Sequence, residues 1–121
     1  MSGVPSLERL SEDAPVVRIV NQILRDAIKR GATEIHIVPS RVRLDVSYSL
    51  GGVLTSYMVP PKVMQQGIIA RLKILSQLDL ARKDVGQEGR FRQKVREGQE
   101  QDFHIVTEPT PFGEKVTLRL A

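Results

Sequence analysis

The apolar residues of this chain change their spacing wherever a glycine or a proline pair interrupts them, and that alternation dictates the order of its elements. From Pro15 to Gly31 the spacing is helical. Val16, Val20, Ile23 and Ala27 recur at steps of three and four with Val17, Leu24 and Ile28 beside them, while Arg18, Gln22, Arg25 and Lys29 take the other side. Pro15 suits a first turn, where its missing N–H would be unpaired anyway. Gly31 tolerates the left-handed conformation that ends helices.

From Glu34 the period becomes two. Ile35 and Ile37 alternate with Glu34 and His36, and after Pro39 the series Val42, Leu44, Val46, Tyr48, Leu50 alternates with Arg43, Asp45, Ser47, Ser49. Gly51-Gly52 predicts a tight hairpin turn into a returning strand over residues 53–59. Pro60-Pro61 then opens a second helix, with Met64, Ile68, Leu72, Leu75 and Leu78 inward, Lys62, Gln66, Lys73 and Gln77 outward, and an end near Asp79. Gly67 inside it marks either close packing or a weak spot. A charged connection over residues 82–89 leads to a strand with Phe91, Gln93 and Val95 on one face. Glu97-Gly98 turns the chain into a strand with Phe103 and Ile105, and a loop over residues 109–113 precedes the last strand, Val116, Leu118, Leu120.

The short connections favour antiparallel neighbours. The sequence thus predicts an α+β fold, in the order α-β-β-β-α-β-β-β, in which two helices cover one face of an antiparallel sheet of about six strands. At 121 residues the chain holds one core, assigned to residues 14–121 behind a flexible, unpatterned lead-in over residues 1–13. There is no cysteine and only His36 and His104 could ligate a metal through imidazole, so neither disulfides nor a metal centre is expected. No stretch approaches the roughly 18 apolar residues that span a bilayer, which predicts a cytoplasmic protein without membrane insertion.

The formal charge of +4 is concentrated. Residues 62–96 hold nine basic side chains (Lys62, Arg71, Lys73, Arg82, Lys83, Arg90, Arg92, Lys94, Arg96) against three acids, Asp79, Asp84 and Glu88. Lys73, Arg92, Lys94 and Arg96 form a candidate anion or partner face, open to a nucleotide, a nucleic acid or an acidic protein surface, and equally to plain solvation. Nucleic acid is disfavoured because the outward positions of the basic strand interleave no aromatic for base stacking.

Catalytic motifs are lacking. A phosphate loop needs glycine-rich backbone and a Gly-Lys-Ser/Thr step at a helix start. Gly113-Glu114-Lys115-Val116-Thr117 lacks that spacing and enters a strand. His36 is read as closing a hydrogen bond near the first helix, and His104 has only Asp102 as an acidic neighbour. No nucleophile, base or carboxylate pair is assembled by spacing.

Three stretches, GATEIHIVPS, RLKILSQLDLARKDVGQEGR and PTPFGEKVTLRL, stand in this order. Over about residues 12–120 the chain resembles the domain ahead of the ATPase core in the GspE/PilB-type ATPases of type II secretion and type IV pilus assembly. The resemblance implies a PAS-like module, not itself an enzyme, that packs between ATPase domains. Its protein partner would be a secretion or pilus ATPase or another machine component. Arg71 and Arg90 stand at matching arginine positions and would contact nucleotide phosphates, so ATP is expected only together with a partner ATPase domain. Where relatives carry Arg-x-Arg-x-Asp-Gly, this chain has Ser47-Tyr48-Ser49-Leu50-Gly51-Gly52, and Gly86 replaces a proline ahead of Gln87-Glu88-Gly89-Arg90, which predicts a looser connection. Docking without catalysis, nucleotide sensing and nucleic-acid binding are the functions compatible with these residues.

Overall fold

A helix that the apolar pattern does not announce, α1 (Leu7–Glu12), opens the described chain, residues 6–121 of the computed structural model. Ser6 caps it by accepting from the Arg9 N–H at 3.2 Å, and Ser11, fully buried, donates its hydroxyl to the Glu8 carbonyl. It lies against α3. The lead-in assigned to residues 1–13 is thereby corrected over residues 7–12, and its first five residues lie outside the described residues. Two leucines in a polar hexamer are too few to set a period.

The helix α2 (Ala14–Lys29) carries Pro15 in its first turn and buries Val16, Val20, Ile23, Leu24 and Ala27. Gly31, at φ 73°, ends it: Gly31 N–H bonds the Ile28 carbonyl and Ala32 N–H the Ala27 carbonyl. Strands β1 (Glu34–Pro39), β2 (Leu44–Leu50) and β3 (Val53–Met58) follow as a meander. Gly51 and Gly52, at φ 56° and 82°, supply the turn. Val42, expected inside β2, is instead 73% exposed in a turn that the Ser40 hydroxyl organises by accepting from Arg43 N–H.

A 3-10 turn (Lys62–Met64) leads into α3 (Gln65–Leu75), which ends four residues before Asp79. Gln77 takes the left-handed position at φ 59°, with Gln77 N–H on the Ile74 carbonyl and Leu78 N–H on the Lys73 carbonyl. Gly67 marks close packing: a Cβ there would lie 2.9 Å from Val16 Cγ2 on α2 and 3.1 Å from the Leu10 carbonyl oxygen on α1.

Strands β4 (Gln87–Arg96), β5 (Gln99–Thr110) and β6 (Gly113–Leu120) form a second meander. Pro109, expected in a loop, belongs to β5 opposite Glu114. It is tolerated because β4 pairs no further than Thr107, so the missing N–H faces a side with no strand among the described residues. The six strands run β3-β2-β1-β6-β5-β4, all antiparallel, with β1 and β6 joining the two meanders. Ile35, Ile37, Val46, Tyr48, Phe103, Ile105, Val116 and Leu118 turn to the face that α2 and α3 cover, closing one core. The fold is the expected α+β arrangement, consistent with a PAS-like module.

Candidate functional site

No helix among the described residues lies on the other face of the sheet. Strand alternation turns Phe91 and Val95 into the core and so projects Arg90, Arg92 and Lys94 outward. Register then sets Arg90 opposite His104, His104 opposite Arg119, and Arg119 opposite Glu34, a row that crosses four strands. Glu88, Arg90, Arg92, Asp102, His104 and Arg119 surround a shallow hollow of about 600 Å³ at the β4–β5–β6 end of this face.

Most of these charges are already paired. Arg92 Nε lies 2.7 Å from Asp102 Oδ1 and its Nη1 3.7 Å from Glu100, and His104 Nε2 lies 2.5 Å from Glu88 Oε2. Glu34 receives Arg119 Nη2 at 3.2 Å and His36 Nε2 at 3.1 Å. Partial burial on its own would raise the Glu34 carboxyl, but the hydrogen bonds and charges of His36 and Arg119 outweigh it and hold the group below its ordinary 4.5. The Arg92 hydrogen bond likewise holds the Asp102 carboxyl below its usual range. Arg90, by contrast, makes no ion pair or side-chain hydrogen bond among the described residues. A guanidinium left open beside a second one and an imidazole can take an anion, with Arg90 as the group that needs it most.

The structure does not bring Arg71 and Arg90 together. Arg71 lies on α3, on the covered side of the sheet, half-buried, with Nε out of water and without a partner among the described residues. Arg90 projects from the opposite face. Lys73, expected on the outer side of its helix, is 1% exposed: its Nζ lies 2.8 Å from Glu114 Oε2 and donates to Glu114 Oε1 at 2.9 Å and to the Arg82 carbonyl at 3.1 Å. It is removed from the candidate partner face, on which Arg92 and Lys94 remain exposed, whereas the register shift after Lys94 sets Arg96, also exposed, opposite Gln99 and beside Arg25 and Asp26 of α2. His36 also departs from expectation, since it meets Glu34 on the helix-free face rather than the first helix.

The connection before β4 is not loose. The Gln87 side chain accepts from Asp79 N–H at 2.8 Å and donates to the carbonyls of Asp79 and Arg82 at 2.9 and 3.0 Å, while Lys73 holds the same Arg82 carbonyl from below. The four residues from Asp79 to Arg82 are thus pinned at the base of the strand that carries Arg90. Arg119 is the cation of the row that the sequence did not single out, and His104, read there with only Asp102 as an acidic neighbour, pairs instead with Glu88. Counting register back from the β5–β6 turn would have set the two opposite each other.

No group of three or more side chains able to hold a metal occurs among the described residues, and no helix among them is long and apolar enough to cross a membrane. The sequence model of the family described as "Type II/IV secretion system protein" matches residues 9–121. The chain is 40% identical over 118 residues to the type IV pilus assembly ATPase PilB of Myxococcus xanthus, covering 98% of this chain and 21% of that protein. It is 38% identical over 117 residues to the type II secretion system protein E of Xanthomonas campestris, covering 97% and 20%. With PilB of Acinetobacter baylyi it shares 36% over 113 residues, covering 93% and 20%. The chain therefore spans about a fifth of the length of these relatives.

Proposed function

The chain belongs to the type II/IV secretion system protein family, and we propose that within it this domain is a non-catalytic module that docks to, or regulates, a ring ATPase or another component of a secretion or pilus machine. The helix-free face of the sheet carries this reading: a broad, polar, charge-bearing surface, with Arg90 open at one end, suits an interface that forms and releases. The lack of a phosphate loop anywhere in the sequence supports the separation of docking from turnover. The test mixes the purified chain with a type II secretion or pilus assembly ATPase and measures complex formation and ATP hydrolysis. A complex weakened at least tenfold by Arg90→Glu, with no hydrolysis by the chain alone, is the expected result. Robust hydrolysis by the chain alone, or no complex, overturns it.

A second reading has its own support. The row Arg90, His104, Arg119 around a hollow suits contact with the phosphates of a nucleotide held mainly by an ATPase domain, without hydrolysis by this chain. Calorimetry with ATP and ADP on the complex then finds nucleotide binding weakened by Arg90→Ala and untouched by Arg71→Ala. Equal binding by wild type and Arg90→Ala ends this reading and leaves docking intact. Nucleic acid has less support, because Arg92 is engaged by Asp102 and Glu100 and no aromatic stands among the outward side chains of β4.

A further inference from the structure

The two edges of the sheet are built differently. At one edge β4 carries Glu88, Arg90, Arg92, Lys94 and Arg96, so a like strand laid against it meets a line of cations, the common protection of a free edge. At the other edge β3 reads Val53-Leu54-Thr55-Ser56-Tyr57-Met58, with no charge and no proline. Val53 and Leu54 are 64% and 60% exposed, and Thr55 and Ser56 are exposed as well.

The unpaired backbone groups of β3 follow from its turn. Gly51-Gly52 sets Leu50 opposite Val53, so the N–H and C=O groups of Val53 and Thr55 face β2 while those of Leu54 and Ser56 face outward. Ser49, opposite Leu54, agrees with this alternation, because its carbonyl accepts from Thr33 N–H on the far side at 3.0 Å.

We propose that β3 pairs antiparallel with β3 of a second copy of this chain about a two-fold axis at Thr55. Leu54 then lies opposite Ser56 of the second copy and Ser56 opposite its Leu54, and the two outward pairs exchange about four backbone hydrogen bonds. Thr55 meets its own image, and Val53 meets Tyr57 of the second copy, both favourable cross-strand pairs. The free groups are spaced symmetrically around one residue and the strand holds no charge to repel its image, which is what selects a second copy as the occupant. The irregularity in β2–β3 register between Val46 and Ser47 limits the ladder to this length. The contact is therefore at the small end of interfaces, and the dimer is concentration-dependent.

Sedimentation from micromolar to millimolar concentration, with amide exchange read by NMR on the same samples, tests it. The mass rises toward that of a dimer, and the Leu54 and Ser56 amides slow at least tenfold as it does. Leu54→Lys places two cations diagonally across the axis and abolishes the rise, whereas Val63→Lys, at a position 89% exposed, keeps it. A thermal melt confirms that both variants fold. A monomer at every concentration, a dimer that survives Leu54→Lys, protection appearing on β4 instead, or pairing only with an added unrelated extended peptide each overturns the proposal.

Discussion

Lys73 Nζ lies within 2.9 Å of both carboxylate oxygens of Glu114, joining the last turns of α3 to the start of β6 with both side chains out of water. A charge pair in such a place costs much more to break than to replace, because the survivor stays buried without a counterion. Lys73→Met is expected to lower stability by about 3–5 kcal/mol. Lys73→Met with Glu114→Leu recovers most of that loss. Urea unfolding of the three proteins checks it, and a single variant as stable as wild type would contradict the pairing.

Gly67→Ala should also destabilise, although alanine is the better helix former by about 1 kcal/mol. The new methyl would press on Val16 and on the Leu10 carbonyl oxygen, which is backbone and yields little. A net loss of about 1–3 kcal/mol is expected, read as a lowered melting temperature. A stabilised variant would mean that α1 does not sit where it is described.

Alkaline pH acts through Tyr48 and Tyr57. Burial pushes the Tyr48 hydroxyl far above its ordinary 10.0, helped by its neighbour Tyr57, and its proton is donated to the Ile23 carbonyl at 2.6 Å. Burial and the hydrogen bond to Asp26 raise Tyr57 too. Raised values contribute stability that is fully present below 10.0 and is lost as pH climbs above it. Since these are the only tyrosines and there is no tryptophan, ultraviolet absorbance should record the Tyr48 phenolate appearing with unfolding, not before. Tyr48→Phe should cost about 1 kcal/mol near neutrality and flatten the alkaline limb.

Acid acts through Glu34 in the opposite sense. Its lowered value contributes stability that is present above 4.5 and is lost as pH falls below that point and passes through the folded value. Glu34→Gln should flatten the acid limb of a pH-stability curve, and high salt should do so partly, since Arg119 is largely exposed. An unchanged acid limb would show that other carboxylates govern it.

The end of α2 was legible and the end of α3 was not, for one reason. Both finish with the same pair of backbone hydrogen bonds around a left-handed residue, but that residue is Gly31 in the first case and Gln77 in the second, where nothing in the letter signals the conformation. Lys73 was misplaced because a lysine in a helix reads as solvent-facing until its partner, 41 residues away on β6, is known. The order of the strands along the chain and their faces followed from alternation, whereas Arg90 was brought forward by its match to an arginine position of the family that the chain resembles. The row it forms with His104 and Arg119 depends on register between strands, which periodicity within one strand does not contain.

Because β1 and β6 lie side by side, Glu34 and Arg119 meet across 85 positions of chain, and the seam they sit on is the costliest loop in the molecule to close. Each meander can zip up early by itself. A polypeptide severed near Lys83 would leave two halves, each presenting one raw flank cut to fit the other, with Lys73 on one and Glu114 on the other to fix how they rejoin.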